Sequence, residues 1–164
     1  MEATQAAMDA LKQAIELESK GHKFYLKAAE RVTDPKGAEM FRSLADDEVL
    51  HEDILNRQLE SLTGGKGWVL PENVQVEADL ETPLFPEGKA IEKAVQSDAG
   101  EMNALLFAIG IENDSFNLYR EQAKTAQDPT AKQIYEYLVD AERTHFNLLM
   151  LNYEHLSTTG HWAD

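Results

Sequence analysis

Two short segments carry the most chemistry: Glu48-Val-Leu-His51 and Glu142-Arg-Thr-His145. A carboxylate and an imidazole three residues apart on a helix share one face, one turn from each other. One Glu-x-x-His is common by chance, but here it occurs twice, and each copy is matched by a lone glutamate, Glu18 or Glu112, upstream. Carboxylate oxygens and imidazole nitrogens are ligands for Fe or Mn, without selecting one of them by ligand type alone. Four carboxylates against two divalent cations make a neutral cluster, whereas four unpaired carboxylates in a core would cost several kcal/mol each.

The segments belong to an internal duplication with an ungapped offset of 94 residues. In this register Leu11, Ile15, Glu18, Tyr25 and Ala29 fall on Leu105, Ile109, Glu112, Tyr119 and Ala123, and Leu44, Glu48, His51 and Leu55 fall on Leu138, Glu142, His145 and Leu149. Within each copy these residues recur at spacings of three and four, the signature of one helical stripe. Asp34-Pro35 and Asp128-Pro129 interrupt the copies midway. Asp caps a new helix there and Pro takes its first position, where the absent N–H costs nothing. Gly64-Gly65 is suited to close the second helix, Asp98 to cap the third, and residues 88–96 read as a short helix of their own.

Each copy is therefore a helical hairpin, the first spanning about residues 4–62 and the second about 98–155, followed by a short tail. The main helices are ~28 residues or ~42 Å long. The connection, about residues 63–97, can run the full length of such a bundle. The fold class expected is all-α: a ferritin-like four-helix bundle of two hairpins with one long crossover, in a single domain over 1–164. Measured from the hairpin turn, Glu18 lies ~15.5 residues before it and the midpoint of Glu48 and His51 ~16 residues after it, both ~23 Å away. The second copy gives the same heights, so four glutamates and two histidines are level. Two lone Glu and two Glu-x-x-His on four helices form the ligand set of di-iron and di-manganese carboxylate bundles.

The segments AIELESKGHKFYLKAAERVTDPKGAEMFRSLADDEVLHEDIL and FAIGIENDSFNLYREQAKTAQDPTAKQIYEYLVDAERTHFNLL resemble the rubrerythrin family. The resemblance implies that Glu18, Glu48, His51, Glu112, Glu142 and His145 ligate a di-iron centre (Mn or a mixed pair being the alternative). It makes Tyr25 and Tyr119 hydrogen-bond donors to the ligand carboxylates. It also implies reduction of hydrogen peroxide, with oxygen reactivity as a side capacity. The chain departs from the family twice. It has no Cys, so it lacks the rubredoxin centre and needs an external, rubredoxin-like electron donor. Where the family places an additional Glu on the third helix, this chain has Ser115, with Asp114 beside it.

Composition fits this reading. The net charge is −15 with 30 acidic and 15 basic side chains, which suits a protein that attracts cations and disfavours nucleic acid or an anionic membrane. The absence of Cys also excludes thiolate metal sites, disulfides and a Cys nucleophile. No signal peptide and no apolar run near the ~18 residues of a membrane span are apparent, so a cytoplasmic homodimer is expected. Two other functions compete: an iron-binding or ferroxidase protein for storage or sequestration, and a bundle whose metal only stabilises it. His22, one turn from Glu18, reads as a hydrogen-bonded or semi-exposed residue, with an extra ligand or proton relay as the lesser alternative. Asp46 and Asp140, two residues before each Glu-x-x-His glutamate, are candidates to orient a histidine or to form surface ion pairs. The tail residues His155, His161 and Trp162 support no assignment.

Overall fold

The computed structural model describes residues 2–72, 74, 77–85 and 100–164. Four helices account for the described secondary structure: α1 (Glu2–Arg31), α2 (Pro35–Thr63), α3 (Gly100–Thr125) and α4 (Pro129–Thr159). The two Asp-Pro pairs act as the sequence suggests. Asp34 Oδ1 accepts from Lys36 N at 2.8 Å, and Asp128 Oδ1 accepts from Thr130 N at 2.8 Å and Ala131 N at 3.2 Å. Each carboxylate thereby satisfies donors left open at a helix start, and Pro35 and Pro129 stand where no donor is missed. Gly64 caps α2, and Gly65 follows at φ 72°, a left-handed backbone that favours glycine. Helix α4 runs to Thr159, about one turn beyond the hairpin end expected from the repeat, and closes on Gly160 at φ 77°. The expected cap Asp98 and the short helix over 88–96 lie outside the described residues.

α1 pairs with α2, α3 with α4, and α1 also packs against α3. Register fixes the directions. Gly21 abuts Glu48 and Glu18 lies beside His51, so α1 and α2 are antiparallel. Tyr25 meets Glu112 while Glu18 meets Tyr119, so α1 and α3 are antiparallel as well. His51 meets Glu142 while Glu48 meets His145, which sets α2 against α4 in the same way. α2 and α3 therefore run parallel, and the chain between them has to return along the bundle. This is the ferritin-like four-helix arrangement.

The connection is fastened in its described parts. Gln58 Nε2 donates to Val69 O (2.7 Å) and its Oε1 accepts from Val69 N (2.9 Å). Val74 is buried. Arg143 donates to the carbonyls of Asp79 and Thr82 (3.2 and 2.6 Å), and its guanidinium lies 4.8 Å from the Phe116 ring centroid. Phe85 meets Phe146 edge to face at 5.0 Å.

The apolar core is divided. One cluster gathers Tyr25, Phe41, Leu44, Leu105, Ile109 and Leu149. The other gathers Leu11, Leu55, Phe116, Tyr119, Ile134 and Leu138 at the opposite end of the bundle. Burying each such aliphatic or aromatic side chain contributes about 1.5–3 kcal/mol. Between the clusters lies a layer of buried charge. The C-terminal tail completes the first cluster: Trp162 is buried, packs edge-on to Phe41 at 6.0 Å, lies over Gly37, and donates Nε1 to Glu101 Oε2 at 3.1 Å.

Candidate metal centre

The polar layer contains Glu18, Glu48, His51, Glu112, Glu142 and His145, none more than 5% exposed. They arise from all four helices because each duplicated stripe substitutes Glu or His for an aliphatic residue at this height. Their ligand atoms fall into two groups, each within 4.8 Å throughout: Glu18, Glu48, His51 and Glu142 in one, Glu48, Glu112, Glu142 and His145 in the other. Glu48 and Glu142, the two Glu-x-x-His glutamates, belong to both. The rings of His51 and His145 stack at 5.6 Å and 23°, each turning Nδ1 inward. His51 Nδ1 lies 3.5 Å from Glu18 and 3.4 Å from Glu142. His145 Nδ1 lies 3.6 Å from Glu48 and 3.5 Å from both Glu112 and Glu142.

Several buried atoms here have no hydrogen-bond partner: Glu18 Oε2, Glu48 Oε1, Glu112 Oε2, both carboxylate oxygens of Glu142, and Nδ1 of both histidines. Leaving a single buried polar group unpaired costs about 1–3 kcal/mol, more if charged. A cluster of seven such buried oxygen and nitrogen donors fits a pair of divalent cations and no apolar occupant.

Two of the remaining oxygens are held by crossed tyrosines. Tyr25 on α1 donates its hydroxyl to Glu112 Oε1 on α3, and Tyr119 on α3 donates to Glu18 Oε1 on α1. Burial, followed by the Glu112 and Glu48 charges, pushes the Tyr25 phenol well above its ordinary value; burial, then Glu18 and Glu142, does the same to Tyr119. Both stay protonated as donors.

Electrostatics divides the four glutamates. Burial, then the Glu142 charge, raises Glu48 well above the carboxylate range; burial, then the Glu112 and Glu18 charges, raises Glu142 likewise. Burial also opposes ionisation of Glu18, but neighbouring Glu48 and His51 outweigh it and hold Glu18 down at about 2. Glu112 is lowered in the same manner, with Glu142, His145 and Tyr25 outweighing burial. Burial works against protonation of both imidazoles, yet Glu18 raises His51, and Asp47 with Glu112 and Glu142 raises His145. Without metal these shifts favour ionised Glu18 and Glu112, protonated Glu48 and Glu142, and protonated imidazoles.

The weaker sequence candidates fall elsewhere. His22 is half-buried and turned to the Ala45 carbonyl (Nδ1–O 3.1 Å), outside both ligand groups. Asp46 and Asp140 are exposed, and the carboxylate that reaches a histidine is Asp47, whose Oδ2 lies 2.9 Å from His145 Nε2. Attention to residues common to both copies favoured Asp46 and Asp140; Asp47 was missed because the second copy has Ala141 in its place. Its only signal was adjacency to Glu48. Ser115 is buried and Asp114 exposed, so neither adds a carboxylate to the layer.

Residues 9–102 match the Rubrerythrin family, more than half of the chain. The chain belongs to the rubrerythrin family. In this rubrerythrin the matched segment contains Glu18, Glu48 and His51, and the internal repeat extends the same pattern to Glu112, Glu142 and His145. A solved structure, a hypothetical protein from Pyrococcus furiosus, is similar to it at 23% identity, covering 92% of this chain and 90% of that one with a TM-score of 0.68. That likeness is one of fold. No curated protein matches. Among the described residues, no helix is long and apolar enough to cross a membrane.

Proposed function

We propose that Glu18, Glu48, His51, Glu112, Glu142 and His145 hold two iron ions and that the protein reduces hydrogen peroxide with electrons from an external donor. The observation that carries this reading is the pair of overlapping ligand groups, which share Glu48 and Glu142 and include seven buried donor atoms without a hydrogen-bond partner. Bound iron supplies two electrons to break the peroxide O–O bond. Two protons complete the balance, giving two waters per peroxide.

The chain's own residues shape that chemistry. Glu48 and Glu142 span both positions. Tyr25 and Tyr119 fix one oxygen each of Glu112 and Glu18 and leave the other buried without a hydrogen-bond partner. The apolar clusters above and below exclude bulk water, which strengthens every charge interaction within the layer. With no Cys, the chain carries no thiolate redox centre of its own, so repeated turnover draws on a separate donor of the rubredoxin kind.

Two measurements test the reading. Anaerobic iron analysis should find close to two ions per chain, and the Glu48→Ala, Glu142→Ala double variant, lacking both shared carboxylates, should retain none. The reduced, iron-loaded protein should consume about one peroxide per two irons and then stop until a donor is added. If neither peroxide nor oxygen reoxidises the reduced protein, the enzymatic reading fails. If iron accumulates far beyond two per chain, storage replaces it.

A further inference from the structure

The duplication is faithful at the ligands and at both tyrosines, but not around the histidines. His145 presents Nδ1 to Glu48, Glu112 and Glu142, and its Nε2 bonds Asp47 at 2.9 Å. His51 presents Nδ1 to Glu18 and Glu142. The residue that would serve it by symmetry is Ala141, and among the described residues Nε2 of His51 has no hydrogen-bond partner; its neighbour on α4 is the Tyr137 ring, edge-on at 6.4 Å. Once neutral and ligating, one imidazole would therefore be fixed with its proton on Nε2 and its lone pair on Nδ1, and the other would not.

We propose that Asp47 is a positioning residue that makes the two metal positions unequal, so that a divalent cation binds more tightly at the His145 group and the His51 group is the exchangeable position. This rests on the two-metal reading above. Three effects act together. The carboxylate selects the ligating tautomer, locks the ring angle, and makes Nδ1 a stronger base. Such partners of metal-binding histidines typically change metal affinity by about 10- to 100-fold. The Asp47 side chain is 44% exposed, so water shares the bond and the lower end, about 10-fold, applies here.

Titration of the metal-free, full-length protein with Co(II) under anaerobic conditions tests this, read by visible absorption and calorimetry. Two ions sharing Glu48 and Glu142 repel each other whatever Asp47 does, so the diagnostic quantity is the change in the ratio of the two stepwise constants. Asp47→Asn should weaken the first step about 10-fold, shift the spectrum of the first-bound cobalt, and draw the two constants together. Ala141→Asp should strengthen the second step by a similar factor and close the gap from the other side. Neither change should alter the melting temperature of the metal-free protein by more than a few degrees. If Asp47→Asn does not fold, Ala141→Asp carries the test alone. Two cobalt ions bound with the ratio unmoved by these substitutions overturn the inference and leave the two-metal reading intact. Fewer than two cobalt ions bound to the unaltered protein overturn both.

Discussion

Loading the metal-free protein with two divalent cations at pH 7 should release about four protons per chain. Four groups in the buried layer have pKa values raised by their surroundings: Glu48 and Glu142 by burial and by neighbouring carboxylates, His51 and His145 by carboxylates that outweigh burial. These shifts favour a proton on each of the four in the metal-free layer, and ionised Glu18 and Glu112. Metal binding requires carboxylates and neutral imidazoles, so each of the four protons must leave as the ions enter. The layer is neutral before and after: two carboxylates against two imidazoliums becomes four carboxylates against two dications. The overall constant for binding both ions should accordingly rise about 10⁴-fold per pH unit near pH 7. Calorimetric titration with Co(II) or Zn(II) in two buffers of different ionisation enthalpy gives the proton count directly. A release of two or fewer would show that the layer is ionised and hydrated without metal, and the electrostatic account of the site would be wrong.

The same four raised groups set a pH dependence of stability. In the metal-free fold Glu48 and Glu142 bind protons that the unfolded chain loses above about pH 4.5, and His51 and His145 keep theirs above about 6.5. Their contribution is therefore lost as pH rises, by about 1.4 kcal/mol per pH unit for each excess proton. Glu18 and Glu112, held low, act oppositely and lose their contribution as pH falls below about 4.5. Denaturant unfolding should show the gap between metal-loaded and metal-free protein widening above pH 6.5; parallel curves would refute this. Tyr25→Phe and Tyr119→Phe should each destabilise the metal-free protein by about 1.5–3 kcal/mol, the scale of a hydrogen bond to a charged group, and urea midpoints within error of the parent would show the crossed bonds to be dispensable. Two glycines should respond with opposite signs. A Cβ on Gly37 would stand 2.6 Å from Trp162 Cε2, so Gly37→Ala should cost about 1–3 kcal/mol despite better helix propensity, whereas Gly110, with nothing within 4 Å, should gain about 0.5–1 kcal/mol on becoming Ala. Thermal melts of the two variants settle the pair.

Most of the bundle was legible because two signals coincide: a three-and-four spacing and its recurrence 94 residues later. Asp-Pro at both hairpin turns placed the breaks, and equal distances from those turns placed the Glu and His residues at one height. The long crossover already implied that α2 and α3 run parallel, but the residue pairing between the copies was not legible. That α1 runs against α3 follows from Tyr25 meeting Glu112 and Tyr119 meeting Glu18, contacts between copies on which spacing within a copy is silent. Trp162 was opaque for a related reason: one bulky residue after a helix has no period, and only Gly37, 125 positions earlier, makes room for it. Asp47 was not legible because the repeat has no counterpart for it, position 141 being Ala.

One hairpin contributes a lone Glu, a Tyr and one Glu-x-x-His, half of everything in the layer, and the two halves meet through reciprocal contacts. A single hairpin pairing with an identical copy of itself would build the same constellation, because each tyrosine reaches the glutamate of the other half. In such an ancestor every position would occur twice, and an aspartate beside one histidine would appear beside both. Two halves in one polypeptide are under no such constraint. Asp47 and Ala141, Gly21 and Ser115, Phe41 and Tyr135 are now free to differ, and a centre that symmetry had kept uniform could acquire two distinct sides.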